Sequence, residues 1–184
     1  MKRLVLMAAA ALMLSLPLSA QNFSIGTNLV DYANFGTLNI QGSWSFARHW
    51  SLVGDVKYNP FSYKAKGGSD LSAKQRLFAL GSRFWPWHVY SGGWIGGKIQ
   101  YQEYNRGGIK SARTEEGDRY GAGLSAGFSY MLRPHLNLDI GAGIWGGYNV
   151  YRVYSCPVCG LTEKASEGFF ILPTDLIISL AYVF

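Results

Sequence analysis

Residues 120–130 read YGAGLSAGFSY, and their side chains alternate between two kinds. Successive side chains of a β-strand point to opposite faces. One face of this segment would be apolar or aromatic and the other would hold only glycine and serine: Tyr120, Ala122, Leu124, Ala126, Phe128 and Tyr130 against Gly121, Gly123, Ser125, Gly127 and Ser129. Small residues suit the crowded axis of a narrow barrel, and apolar ones suit lipid. The stretch therefore predicts a strand of a transmembrane β-barrel.

The same period of two recurs along the chain and predicts eight strands, at residues 23–29, 38–46, 51–59, 77–84, 95–102, 120–130, 136–149 and 174–184. Short turns are expected at 47–50, 85–92 and 132–135. On the opposite side we expect a compact first outer loop at 31–36 and longer outer loops at 60–75, 104–118 and 152–170. An even number of strands, with short turns on the side of both termini, is typical of bacterial outer-membrane barrels. We predict an all-β fold, an eight-stranded antiparallel up-and-down transmembrane barrel over residues 21–184.

Residues 1–20 have the composition of a secretory signal. Lys2 and Arg3 precede an apolar run at 4–18, and small residues follow at 18–20. We predict a cleaved signal peptide, because the apolar run is short for a membrane helix. No cysteine lies near the expected cut, so a lipid anchor is not expected. Together with the barrel pattern, this predicts a location in the bacterial outer membrane.

The composition favours a curved β-structure over a soluble or nucleic-acid-binding domain. The chain has 23 Gly, 6 Trp, 12 Tyr and 10 Phe, and its charged fraction of 15% is well below the usual value of about 25%. The net charge is +6, without a block of like charge. Nucleic acid is therefore not an expected partner.

A soluble barrel of the lipocalin type also alternates, and the positions of the charges argue against it. Such a barrel would bury its apolar face and show charge outside. Here the ionisable strand residues share a parity with Gly and Ser, and they are expected to form a paired interior network: Asp55, Lys57, Arg83, Lys98, Arg119, Asp139 and Asp175. Because isolated buried charges cost several kcal/mol, we predict a side-chain-filled interior. Its mixed signs argue against a selective pore.

Aromatic residues cluster where the predicted strands meet turns and loops, as expected of membrane-interface girdles. The group toward the termini is Trp44, Phe46, Trp50, Phe84, Trp85 and Trp87, and the opposite group is Tyr58, Phe61, Tyr63, Tyr101, Tyr104, Tyr148, Tyr151 and Tyr154.

No group of residues predicts catalysis, a cofactor site or a metal site. His49, His88 and His135 fall in separate predicted turns on the side of the termini. Small-barrel enzymes of the outer membrane place catalytic histidines at the opposite rim. The glycine pairs at 121–123 and 141–143 lie inside strands without a following helix, so they lack phosphate-binding geometry. We predict a non-enzymatic protein without cofactors.

Cys156 and Cys159 have the two-residue spacing of redox motifs and of half a zinc site. A zinc site would need two more ligands, and no other Cys or His is near in sequence. A redox pair usually opens a helix in a thioredoxin-like unit, which this pattern lacks. We predict a disulfide at the tip of the last loop, with little effect on stability.

Leu180, Tyr182 and the terminal Phe184 resemble the signal read by the outer-membrane insertion machinery. Nearly the whole mature chain resembles small OmpA/OmpX-like barrels, and most closely a family of unknown function from Bacteroidetes-type bacteria, often encoded near fimbrial or surface-adhesin genes. The residues that carry the resemblance are Asn28-Leu29, residues 50–52 leading to Asp55, residues 57–60, the glycine-rich sixth and seventh strands and residues 180–184. The resemblance implies no catalytic residues, and no peptidoglycan-binding domain is expected.

We therefore expect a barrel that serves envelope structure or surface interactions through its outer loops. Its expected partners are outer-membrane lipids, the insertion machinery and a fimbrial or other surface protein. Three alternatives remain open: a fimbrial anchor that docks through residues 62–74 or 152–170, a lipid-modifying enzyme, and a soluble carrier.

Overall fold

The computed structural model describes residues 22–64, 70–107, 113–155 and 162–184. The predicted signal peptide and the cysteine pair Cys156 and Cys159 lie outside these ranges. The elements are β1 Phe23–Asn28, α1 Leu29–Ala33, β2 Leu38–Ala47, β3 Trp50–Asn59, β4 Ser62–Lys64, β5 Asp70–Phe84, β6 Gly92–Gly107, β7 Thr114–Arg133, β8 Leu136–Tyr154 and β9 Thr162–Val183.

Eight of these strands form a closed antiparallel barrel. Consecutive strands pair with each other, β3 pairs directly with β5, and β1 pairs with β9 to close the cylinder. The short β4 adds only to the end of β5. The predicted fold class is therefore confirmed. Within the described ranges, no helix is both long and apolar enough to cross a membrane.

The closing pair is one of the short seams of the barrel. β1 meets β9 over the register from Ser24 opposite Val183 to Asn28 opposite Ser179. By contrast, β7 and β8 stay paired from Arg133 opposite Leu136 to Thr114 opposite Tyr154. We call the end with both termini and the turns at 48–49, 85–91 and 134–135 the turn end, and the opposite end the loop end.

Strands β5 to β9 are longer than the sequence predicts. Most of the expected loop at 104–118 is strand, since β6 runs to Gly107 and β7 starts at Thr114. Likewise, β9 starts at Thr162, inside the expected loop at 152–170. These loop boundaries were wrong because the two faces of the added strand segments are alike: both are largely polar at 114–119, and both are apolar at 169–172. The alternation that marks a strand in sequence disappears there, while the backbone pairing continues.

The turn end is closed by an inward-folded segment. Residues 85–91 bring Trp85, Val89 and Tyr90 into a core with Trp94 and Val183. Tyr90 has a φ of 63°, and the following Gly92 has a φ of 77°, which directs the chain back into β6. The prediction that Trp85 belongs to the membrane-interface girdle on the side of the termini was wrong. Its side chain is 1% exposed, and its indole N–H donates to Ser51 Oγ at 3.0 Å.

The loop end is partly covered by α1. Asn28 caps this short helix by accepting from the Val30 N–H, and its amide group also donates to the Leu176 carbonyl at 3.0 Å. These bonds tie α1 to β9 and set Asp31 over the barrel interior. The segment that follows buries Thr37 completely, where its hydroxyl oxygen accepts from Asn59 and Gln75.

Candidate functional site

The outward face of the barrel is apolar over a continuous band. On β7 the outward side chains from Tyr120 to Tyr130 are all apolar or aromatic, and Leu124 in their midst is 68% exposed. The neighbouring strands add further large exposed side chains to the band: Ile40, Phe78, Leu80, Ile95, Ile99, Ile140, Ile144, Leu176 and Ile178. Among the described residues, nothing packs over this surface, and a contiguous exposed apolar patch of this kind is typical of a membrane or partner contact.

Aromatic rings mark the edge of this band toward the loop end. The strand registers place Phe78, Tyr101, Tyr120, Tyr148 and Phe169 side by side on five adjacent strands. The rings of Tyr120 and Tyr148 lie 5.8 Å apart, and those of Tyr148 and Phe169 lie 5.4 Å apart. We call these five residues the aromatic row.

The deepest interior ion pair joins Arg83 on β5 to Asp139 on β8. Their side-chain atoms are 3.1 Å apart, and both residues are almost fully buried. The guanidinium also donates to Gln41 Oε1 at 3.3 Å and lies 4.1 Å from the centre of the Trp94 ring. Arg83 thus links the inward-folded aromatic core to the polar interior above it.

Further ion pairs lie above Arg83, toward the loop end. Lys98 contacts Asp175 at 2.5 Å, and Lys57 contacts Asp31 at 2.8 Å. Asp55 lies 3.8 Å from Lys57 on the same strand. A cavity of about 60 Å³ separates these groups, which is room for a few water molecules.

Asp31 is an interior residue that the sequence reading missed. It lies in the segment that was expected to form the first outer loop, where a carboxylate has no strand parity to indicate its direction. The turn made by α1 carries it inward to Lys57. The only signal for an additional interior carboxylate was Lys57. It is a buried cation, and Asp55 on the same strand lies farther from it than Asp31 does.

Arg119 lies apart from the other six predicted network residues. Its guanidinium is 3.7 Å from Glu115 and stacks at 3.9 Å over the ring of Tyr104. Tyr104, which was expected in the girdle, is instead 2% exposed and donates to Glu115 at 2.5 Å. Burial, with the hydrogen bond to Glu115, raises the pKa of Tyr104 to about 12. The residue therefore stays a neutral donor at physiological pH.

The histidines lie at the turn end, where each ring contacts a backbone carbonyl. His49 is 2.8 Å from the Trp85 oxygen, and His135 is 2.9 Å from the Val183 oxygen. His88 contacts the Val89 oxygen at 3.3 Å. No group of three or more His, Cys, Asp or Glu with metal-binding geometry occurs among the residues placed by the structure.

The predicted insertion signal lies on the outward face of β9. Tyr182 and Phe184 are about half exposed, and their rings are 5.0 Å apart. Leu180 is half-buried on the same face, opposite Leu138 of β8. These side chains continue the apolar band to the turn end.

No curated protein matches the chain. A family model described as "Protein of unknown function (DUF3575)" matches residues 4–184. The match covers every strand of the barrel, including both strands of the closing seam. The chain is therefore a member of the DUF3575 family.

Proposed function

We propose that this protein is an integral β-barrel of the bacterial outer membrane, without enzymatic activity, that serves envelope structure or surface interactions through its loop end. A fimbrial or other surface protein as partner stays a prediction from the sequence resemblance. In the proposed orientation, the turn end faces the periplasm and the loop end faces the cell exterior.

The outward apolar band carries this proposal. Residues 120–130 span about 26 Å along the barrel axis, at a rise of about 3.4 Å per residue and a strand tilt of about 40°. Outer-membrane barrels have an apolar band of about 25 Å. The aromatic row then lies at the depth of the headgroups, where amphipathic rings collect.

The interior supports the proposal for the opposite reason. A soluble carrier would need an apolar cavity, whereas this barrel holds the ion pairs of Arg83, Lys98 and Lys57 at its centre. Charges facing inward and large apolar side chains facing outward are the arrangement of a barrel surrounded by lipid.

A pair of matched arginine substitutions tests the membrane position. Leu124→Arg puts a charge at the middle of the band and is expected to cost about 2–4 kcal/mol in the free energy of unfolding in lipid vesicles, against about 0–1 kcal/mol near an interface. Val150→Arg serves as the interface control, because Val150 lies next to Asp118 on the loop side of the aromatic row. The folded fraction is measured by heat-modifiable gel migration during urea titration. Equal costs for the two variants would contradict the proposal.

The non-enzymatic assignment has its own test. Outer-membrane lipids from strains with and without the protein are compared by mass spectrometry. Identical lipid spectra are expected, and a modification that depends on the protein would support the lipid-modifying alternative.

A further inference from the structure

Beyond the aromatic row, strands β5 to β8 continue as a polar sheet. The next outward residues across the sheet are Arg76, Glu103 and Asp118, in direct register. The following ones are Lys74, Asn105, Glu116 and Arg152, again in register. An open concavity of about 700 Å³ is lined by these seven residues together with Tyr58, Asn59, Pro60, Gln75, Tyr104, Gly117, Val150 and Tyr151. We call it the polar concavity.

The carboxylates of the polar concavity already have donors within the protein. Asp118 accepts from the Tyr101 hydroxyl at 2.6 Å, and Glu103 lies 3.6 Å from Arg76. Glu116 accepts from the Tyr154 hydroxyl at 2.5 Å and from Asn105 at 3.3 Å. Each acid is therefore engaged from its own or a neighbouring strand.

The cations of the polar concavity are engaged less completely. Lys74 and Arg152 are exposed and form no ion pair with any residue that the structure describes, although Arg152 has a side-chain hydrogen bond with Tyr154. Arg76 has the exposed pair with Glu103 and lies 6.0 Å from the centre of the Tyr58 ring, and its side chain is 61% exposed. Such a pair is worth little in water. The polar concavity thus offers three cations to an anionic ligand, while tyrosine and asparagine donors partly satisfy its acids.

The depth of these cations matches one kind of anion. Arg76 lies two residues beyond the aromatic row, or about 5 Å along the axis, and Lys74 lies about 10 Å beyond it. The polar layer of one leaflet is about 5–8 Å thick. Lys and Arg can extend their side chains along the barrel toward this layer. Phosphate groups of membrane lipids therefore come within reach of all three cations.

We propose that the polar concavity binds the phosphorylated sugar headgroup of an outer-leaflet glycolipid. Lys74, Arg76 and Arg152 bind its phosphate, and Asn105 and the Tyr58 hydroxyl contact its sugar hydroxyls. A volume of about 700 Å³ exceeds the needs of a phosphate alone and falls within the range of small-ligand sites. This inference rests on the proposed function, because the band fixes the depth of the polar concavity.

Native mass spectrometry of the folded barrel in zwitterionic micelles tests the inference. The probe is a diphosphorylated, acylated glucosamine disaccharide. The variant that combines Lys74→Gln, Arg76→Gln and Arg152→Gln is expected to bind it at least about tenfold more weakly than the wild type, since each basic residue near an anionic lipid surface contributes to affinity. The wild type is expected to bind the dephosphorylated probe with a similar loss.

Two matched variants complete the design. Arg76→Lys with Arg152→Lys keeps the charges and is expected to retain most of the binding. Arg48→Gln with Arg133→Gln removes two exposed cations at the turn end and is expected to leave binding unchanged. Binding that is absent in the wild type, insensitive to probe phosphates, or reduced equally by the turn-end variant would overturn the inference.

Heat-modifiable migration and vesicle insertion of the same variants separate the two proposals. All three variants alter exposed positions outside the band, so each is expected to insert like the wild type. A wild type that does not insert into vesicles would contradict the proposed membrane position. Normal insertion with equal glycolipid binding by all variants would contradict only the glycolipid site.

Discussion

Buried charges in this barrel are tolerated because each has a specific partner. Arg83 illustrates this, with Asp139, Gln41 and the face of Trp94 around one guanidinium. Removing two ions from water costs more than a loose contact returns, so such pairs need good geometry and additional hydrogen bonds. Their value here is positional, since they connect strands that are not neighbours in the barrel.

Asp139→Asn should destabilise the barrel strongly. The substitution leaves Arg83 buried without its counter-charge, and we expect a loss of about 3–5 kcal/mol in the free energy of unfolding. Glu103→Gln is the matched control, because its pair with Arg76 is exposed on both sides and should cost less than about 1 kcal/mol. Urea titration in micelles with a gel-migration readout measures both. Similar losses for the two variants would argue against a dry interior at Arg83.

Strand alternation predicts which side chains of a strand face the interior, but it does not reach the groups that lie outside the strands. In the described barrel, each of the seven ionisable residues selected by parity takes part in an ion pair. Asp31 was missed because it follows a strand, where a helical turn rather than the period of two decides its direction. Tyr104 was misplaced because aromatic character was given more weight than its parity on β6.

Inward-facing glycines let the strands pack closely around the axis. At Gly127 of β7, a Cβ atom would meet the Trp94 ring at 2.6 Å, and it would also contact the backbone oxygen of Ile140. The Trp94 indole therefore occupies the space that a side chain at position 127 would need. This crowding explains why the inward positions of β7 between residues 121 and 129 hold only glycine and serine.

Gly127→Ala is accordingly expected to destabilise the barrel by about 1–3 kcal/mol through overpacking. Gly54→Ala is the control, since a Cβ there meets no atom within 4 Å. That change should be neutral or slightly stabilising, because alanine reduces the freedom of the unfolded chain. Thermal shift of the heat-modifiable band gives both values. A neutral Gly127→Ala would mean that Trp94 can move away from β7.

Strand centres were predictable and strand ends toward the loops were not. Within the apolar band, one face must be apolar and the period of two is visible in sequence. Beyond the aromatic row, both faces meet polar groups, as at Glu115 and Glu116 of β7. Hydrogen bonding with β6 and β8 continues through this segment, although the sequence pattern has stopped.

The part of the barrel that the structure describes holds side chains in layers, from the aromatic core at the turn end through the ion pairs to Tyr104 and its partners. An eight-stranded barrel is just wide enough for side chains to fill its interior. The sequence predicted this filling from balanced charges. It did not predict the inward fold of residues 85–91, because a seven-residue turn carries no parity.

We expect the reconstituted wild type to pass no steady ion current across a planar bilayer. Trp85 and Trp94 close the turn end, and Arg83 with Asp139 fills the next layer. Recovery of heat-modifiable protein from the same membranes is the control for incorporation. Regular current steps that depend on the protein would contradict this prediction, because they would show that ions pass the layers formed by these side chains.

The short seam between β1 and β9 has a consequence for biogenesis. Ser24 can pair with Val183 only after all the strands between them have been made, and few backbone hydrogen bonds compensate for that long loop closure. Before that pairing, the strands can already form a curled sheet in which β1 and β9 are the two unpaired edges. In the proposed membrane position, the factor that inserts this curled sheet must shield both edges until β1 and β9 pair, because only that pairing seals the cylinder against water.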